Sequence, residues 1–156
     1  MVAVIQRVNC AEVIADGIMS GKISKGLYIL LGVEKGDTEI DAVSLADKIS
    51  KLRIFSDENG KMNLSVIDVN GEVLSVSNFT LCANYAHGNR PDYFNAESPQ
   101  RAKELYIFFN QEIAKRTGKC ETGIFGADMQ TNMSTDGPVT IVMDSYVLLR
   151  KTRGAI

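Results

Sequence analysis

Between Val2 and Val33 the chain is built from four apolar, β-branched runs cut apart by turn residues, and that pattern commits its first third to strands. The runs are Val2 to Val8, Glu12 to Ala15, Ile18 to Ile23 and Leu27 to Val33. Asp16-Gly17 supplies a tight turn, and Gly26, Gly32 and Gly36 set the limits. Helical spacing begins only afterwards. Thr38 stands three residues before Asp41 as a capping pair, and Ile40, Val43, Ala46, Ile49 and Leu52 fall on nearly one face. Arg53 to Phe55 leads into a turn at Asp57-Glu-Asn-Gly60, and Val73 to Leu81 reads as a further strand with a polar, aromatic end.

Residues 83–97 are crowded with turn formers and polar aromatics and make the longest irregular stretch, the kind of loop that often carries function. Ser98-Pro99 then opens a second helix, with Ser as cap and Pro in the first turn. Ala102, Leu105, Phe109 and Ile113 form its inward stripe, and Gly118 ends it. From Cys120 onward the pattern predicts short β-like pieces around Gly123, Gly126 and Gly137-Pro138, closing with Val139 to Met143. Strands before and after two helices predict an α+β fold: a mixed sheet or small β-barrel with two main helices packed on it, in one domain spanning 1–156.

With 156 residues, 45% of them hydrophobic and 23% charged, the chain holds enough apolar material for one core. Its formal net charge of −2 excludes a general positive field, so an RNA partner would be held locally, through few phosphates and through shape. Met1 to Arg7 lacks the basic and apolar regions of a signal peptide, and no apolar stretch approaches a membrane span. A cytoplasmic protein is expected. Cys10, Cys82 and Cys120 are widely spaced and odd in number, which predicts free thiols rather than disulfides or zinc ligands.

Two clusters combine hydroxyls with tight backbone at a predicted strand end: Ser75-Val-Ser-Asn-Phe-Thr-Leu81 and Ser134-Thr-Asp-Gly-Pro-Val-Thr140. Hydroxyls and free N–H groups placed in this way can polarise an ester carbonyl and hold the oxyanion formed on attack. The same residue types also serve as turn formers with locally satisfied side chains. His87 is the only histidine and lies in the polar loop, so a Ser-His-Asp or Cys-His arrangement has one imidazole to draw on. A histidine-based metal site has too few ligands, and no glycine-rich phosphate loop is present.

Seven blocks in register carry a family resemblance. Ala3-Val-Ile-Gln-Arg-Val8, Gly26-Leu through Leu31-Gly-Val33, Leu52-Arg-Ile-Phe55, Lys61-Met-Asn-Leu64, Ser77-Asn-Phe-Thr-Leu81, Phe125-Gly-Ala-Asp-Met129 and Asp136-Gly-Pro-Val-Thr140 follow the order and spacing of the D-aminoacyl-tRNA deacylases. The chain resembles that family from residue 1 to about residue 145. The resemblance implies a cytoplasmic, cofactor-free hydrolase that cleaves the ester of D-aminoacyl-tRNA, and of glycyl-tRNA mischarged on tRNA(Ala), while rejecting L-aminoacyl-tRNA. It implies a homodimer with active sites at the subunit interface, no metal, and no DNA or membrane partner.

Carried over residue by residue, the resemblance places Ser77, Asn78, Phe79 and Thr80 at the ester. Gly137-Pro138, joined by a cis bond, would reach into the neighbouring subunit's pocket, where its carbonyls receive the substrate's ammonium and crowd out an L side chain. Adenosine would lie against Ala102, Phe125 and Met129, residue types that core packing uses equally. Two chemical schemes are open. In one Thr80 is the nucleophile; in the other the N–H groups of Phe79 and Thr80 bind the oxyanion while the terminal ribose 2′-hydroxyl helps activate water. The lack of a companion base favours the second.

The sequence departs from the family's pattern in places. Asn78 stands where the family usually has Gln, one methylene longer, and Thr135 where it has Asn. The loop Asn84 to Arg90 keeps Arg90 as its firm cation where the family carries several basic residues. Residues 149–156, with Arg150, Lys151 and Arg153, read as a flexible basic tail. Two alternatives follow from these departures: a paralogue acting on a different mischarged aminoacyl-tRNA, or a catalytically weak dimeric module that binds tRNA 3′ ends.

Overall fold

The computed structural model describes residues 1–153, and side chains through Leu149. Its spine is β1 (Val2–Ala15), a single strand where two runs were expected. It is continuous because it is paired on both edges. On one edge it meets β2 (Ile18–Ile23) along Ala11–Ala15 and β3 (Gly26–Gly32) along Val2–Val8. On the other it pairs antiparallel with β8 (Met129–Asp144) from end to end. β3 pairs in parallel with β6 (Glu72–Ser77), and β6 with the short β7 (Glu121–Thr122). A separate hairpin, β4 (Phe55–Ser56) and β5 (Met62–Leu64), encloses the Asp57–Gly60 turn.

β3 is buried on both faces, which is why Leu27 to Leu31 reads as an unbroken apolar run. Leu27, Ile29 and Leu31 face the helices α1 (Glu39–Ser50) and α2 (Pro99–Thr117), packing with Leu45, Ile49, Leu105 and Phe109. Tyr28 turns the other way, into a second core with Val8, Val13, Leu74 and Val76. The sheet curls around this second core until β2 approaches β7. A Cβ on Gly21 would stand 2.8 Å from Leu74 Cδ1 and 3.0 Å from the Thr122 carbonyl oxygen, so the near-closure of the barrel depends on glycine there. The fold is α+β with two main helices against a barrel-like sheet, and the α2 stripe Ala102, Leu105, Phe109 and Ile113 is buried as expected.

Three features differ from expectation. On α1 the buried face is rotated: the core takes Ala42, Leu45, Ala46 and Ile49, while Ile40 is 62% exposed and Val43 is half-buried. Asp41 is drawn inward by a polar knot. The Met1 ammonium lies 2.6 Å from Asp37 Oδ1 and 2.7 Å from Ser145 Oγ, and that hydroxyl donates to Asp41 Oδ1 at 2.8 Å. The other Asp41 oxygen accepts the Thr38 N–H at 2.9 Å, capping α1 as the sequence predicts. Second, the region from Met129 to Asp144 is one strand rather than short pieces. Gly137-Pro138 does not break it because β8 is an edge strand paired with β1 alone, and the pair sits on a bulge between the Gln6–Thr140 and Val8–Thr135 pairings. Third, Ser145–Arg153 forms a helix, α3, where a tail was expected from residue 149. The remainder of that stretch, and the side chains of Arg150, Lys151 and Arg153, lie outside the described residues.

Burial by itself would raise the Asp41 carboxyl, but hydrogen bonds from Ser145 and Thr38 and the charge of the N-terminus outweigh it and hold the group below the usual carboxylate range. Asp41→Ala is therefore expected to cost about 2 kcal/mol at neutral pH, from a lost cap and a lost buried acceptor. A carboxyl whose pKa is depressed on folding stabilises above its unfolded value of about 3.9, and that contribution is lost as pH falls through the folded value. Urea titrations of both chains should show the gap at neutral pH and its closure in acid.

Candidate active site

Parallel strands open a crevice beyond their carboxyl ends, and β3 and β6 end side by side with Leu31 opposite Ser77. The sequence predicts that the second strand runs on to Leu81, yet it stops at Ser77 and Phe79–Cys82 coils into a 3-10 turn. Asn78 is the cause. Its N–H still donates to the Leu31 carbonyl at 2.8 Å, but its side-chain Oδ1 accepts the Thr80 N–H at 3.2 Å and the Thr80 hydroxyl. A short polar side chain has capped the turn instead of letting the ladder continue. The Phe79 N–H, first in the turn, has no intrahelical acceptor. The Thr80 N–H, expected to face an oxyanion, is engaged by Asn78, whose shorter side chain suits this local cap. Phe79 itself is 60% exposed and meets Tyr93 of the long loop edge-on, with ring centroids 5.0 Å apart.

The crevice deepens into a cavity of about 230 Å³. Ser77, Asn78 and Phe79 line one side, Ala102 and Tyr106 of α2 another, and Phe125 and Met129 a third. Six of the residues singled out from sequence thus meet in one hollow, although they come from three distant stretches of chain. Thr80 does not line it. Two of the other lining residues bring polar side chains. Tyr106 is almost fully buried; burial pushes its phenol up to about 12, and its hydroxyl donates to the Ser75 carbonyl at 2.8 Å, fixing the wall. Glu97 contributes a carboxylate, held below its usual range by the N–H of Ser98. Neither a histidine nor a cysteine lines the cavity. His87 is exposed in its loop, and burial raises the Cys82 thiol to about 11 and the Cys120 thiol to about 12, so neither is a thiolate near neutrality.

Gly137-Pro138 is absent from this cavity. Its peptide bond is cis, and the pair is exposed on the β8 bulge, opposite Arg7. Gly137 has φ +134°, and a Cβ there would come within 2.7 Å of the Val139 nitrogen, so only glycine fits. Arg7 holds the bulge from beneath. It is 8% exposed, its Nε lies 3.0 Å from Asp136 Oδ2 and 3.2 Å from the Asp136 carbonyl oxygen, and its guanidinium donates to the Ile54 carbonyl at 2.6 Å. Sequence reasoning quoted Arg7 without giving it a role. The signal was available, because strand alternation from Ala3 and Ile5 points residue 7 inward, and a buried guanidinium demands acceptors.

The profile of the D-Tyr-tRNA(Tyr) deacylase family matches residues 4–144. A D-aminoacyl-tRNA deacylase of Thermosipho melanesiensis is 53% identical over 146 residues, covering 93% of this chain and 97% of that protein. One from Persephonella marina is 54% identical over 148 residues, covering 95% and 100%. Among solved structures, that of the c-Myc DNA unwinding element binding protein superposes with a TM-score of 0.86 at 39% identity, covering 92% of this chain and 98% of that one. With sequence agreement running through β1, the β6 turn and β8 alike, the chain belongs to the D-Tyr-tRNA(Tyr) deacylase family.

Proposed function

We propose that this chain hydrolyses the ester linking a D-amino acid, or glycine mischarged on tRNA(Ala), to the 3′ end of tRNA, and that it spares L-aminoacyl-tRNA. The observation that carries the reading is the single cavity at the carboxyl end of β6, where Ser77, Asn78 and Phe79 face Ala102, Phe125 and Met129. The terminal adenosine lies against the last three, and the ester carbonyl comes to the first three. The Phe79 N–H donates to the oxyanion as water adds to the carbonyl, and the Thr80 N–H joins it by exchanging its long bond to Asn78 for the new charge. Collapse of the tetrahedral intermediate breaks the acyl carbon–oxygen bond; the ribose oxygen takes up a proton and the amino acid leaves as its carboxylate. The ribose 2′-hydroxyl orients the attacking water.

Selectivity needs a second subunit. The chain's own Gly137-Pro138 lies outside its own cavity, so the gate that excludes an L side chain is supplied by the partner in a homodimer, with the exposed bulge of one subunit entering the crevice of the other. Arg7 anchors that bulge. Among the described residues no helix is long and apolar enough to cross a membrane, and the proposed site of action is the cytoplasm.

Release of amino acid from tRNA charged with D-tyrosine, glycine or L-tyrosine checks the central claim. The first two should be freed and the third left intact; turnover of the L ester would point to a paralogue, and binding without turnover to a tRNA-end module. Sedimentation should return twice the mass of one chain. Thr80→Ala should retain turnover within about tenfold, whereas a terminal 2′-deoxyadenosine should lower kcat by about 100-fold or more, the range for losing a group that assists proton transfer. The reverse pattern would make Thr80 the nucleophile.

A further inference from the structure

The cavity's inner wall is shared. Tyr106 and Phe125, which line it, also line a wider hollow of about 470 Å³ on the outer side of α2. Ile107 and Ile124 form its apolar sides and remain 45% and 50% exposed, large side chains left open to solvent. Gln111 offers an amide one turn along from Ile107, and Lys103 stands one turn before it. Among the described residues Lys103 enters no ion pair, whereas its neighbours Arg101, Lys115 and Arg116 on the same helix are each matched to a carboxylate.

Resting on the deacylase reading, we infer that this hollow is a subsite for the single-stranded nucleotides immediately preceding the terminal adenosine. Once the adenine occupies the cavity, its 5′ phosphate and the next base leave through the mouth and lie on the surface beside it. The Tyr106–Phe125 wall has a second hollow on its far side. Ile107 and Ile124 supply apolar surface for a base, Gln111 supplies donor and acceptor for its edge, and Lys103 meets the phosphate. The site also answers a question of charge. A chain of net charge −2 with a cation-poor loop needs a local grip on RNA, and an unpaired lysine beside an exposed apolar hollow is such a grip.

The test compares two substrates, D-tyrosyl-tRNA and the D-tyrosyl ester of adenosine, on wild type, Lys103→Gln and Ile107→Glu. Both substitutions lie on the exposed face of α2, and unchanged thermal unfolding establishes that the variants fold. KM for the tRNA should rise about tenfold in each with kcat preserved, and in Lys103→Gln the slope of log KM against log salt should fall by about one. The adenosine ester should be hydrolysed as by wild type. Unchanged KM for the tRNA, or an equal loss on both substrates, overturns the subsite. A change of sedimentation in Ile107→Glu with KM unchanged means that a second copy covers the hollow, which also overturns it. If wild type hydrolyses neither substrate, the deacylase reading itself fails and the subsite with it.

Discussion

Pairing of β1 along both edges is the constraint on which the rest of the molecule depends. A strand flanked on one side by β2 and β3 and on the other by β8 finds ladder partners along most of its length, and it fixes the register of its three neighbours at once. Because β3 is held in that register, its parallel neighbour β6 must end beside Leu31, and the crevice at the carboxyl ends appears where it does. Because β8 is held on the opposite edge, the Gly137-Pro138 bulge projects from a different part of the surface. One strand therefore both shapes the cavity and places the Gly137-Pro138 bulge outside it.

Polar groups buried at the ends of this frame hold the helices to it. The Met1 ammonium, Asp37, Ser145 and Asp41 form a chain of contacts joining the start of β1 to the start of α1 and the start of α3. Arg7 does the corresponding work at the middle of β1, linking the β8 bulge to the segment before β4. The charged groups among these are largely enclosed, and each has its partners, as burial of charge requires.

The chemistry proposed for the site rests on backbone more than on side chains. The cavity lacks histidine and cysteine, the two thiols with raised pKa values are inert, and Thr80 is tied to Asn78. What the site offers is the Phe79 N–H at the head of the turn, beside a wall held by the Tyr106 hydroxyl's bond to Ser75. Asn78 caps the turn through its own side-chain oxygen, which engages both the N–H and the hydroxyl of Thr80.

The sequence by itself determined the strand-rich first third, the capping of α1 by Asp41, the inward stripe of α2 and its end at Gly118, because hydrophobic period and cap chemistry are local properties. It also brought forward the six candidates that meet in the cavity, though through resemblance across separate blocks rather than through any one motif. Only the tertiary structure decided the rest. Ile40 looked like core by spacing but is exposed, because the face of α1 that turns inward carries Asp41 to the Ser145 hydroxyl. Pro138 looked like a break, but an edge strand tolerates the missing donor. Val73 to Leu81 looked like one strand, but Asn78 found a closer partner in Thr80. Each outcome turns on a partner remote in sequence or on competition between two hydrogen bonds, and neither leaves a period in the chain.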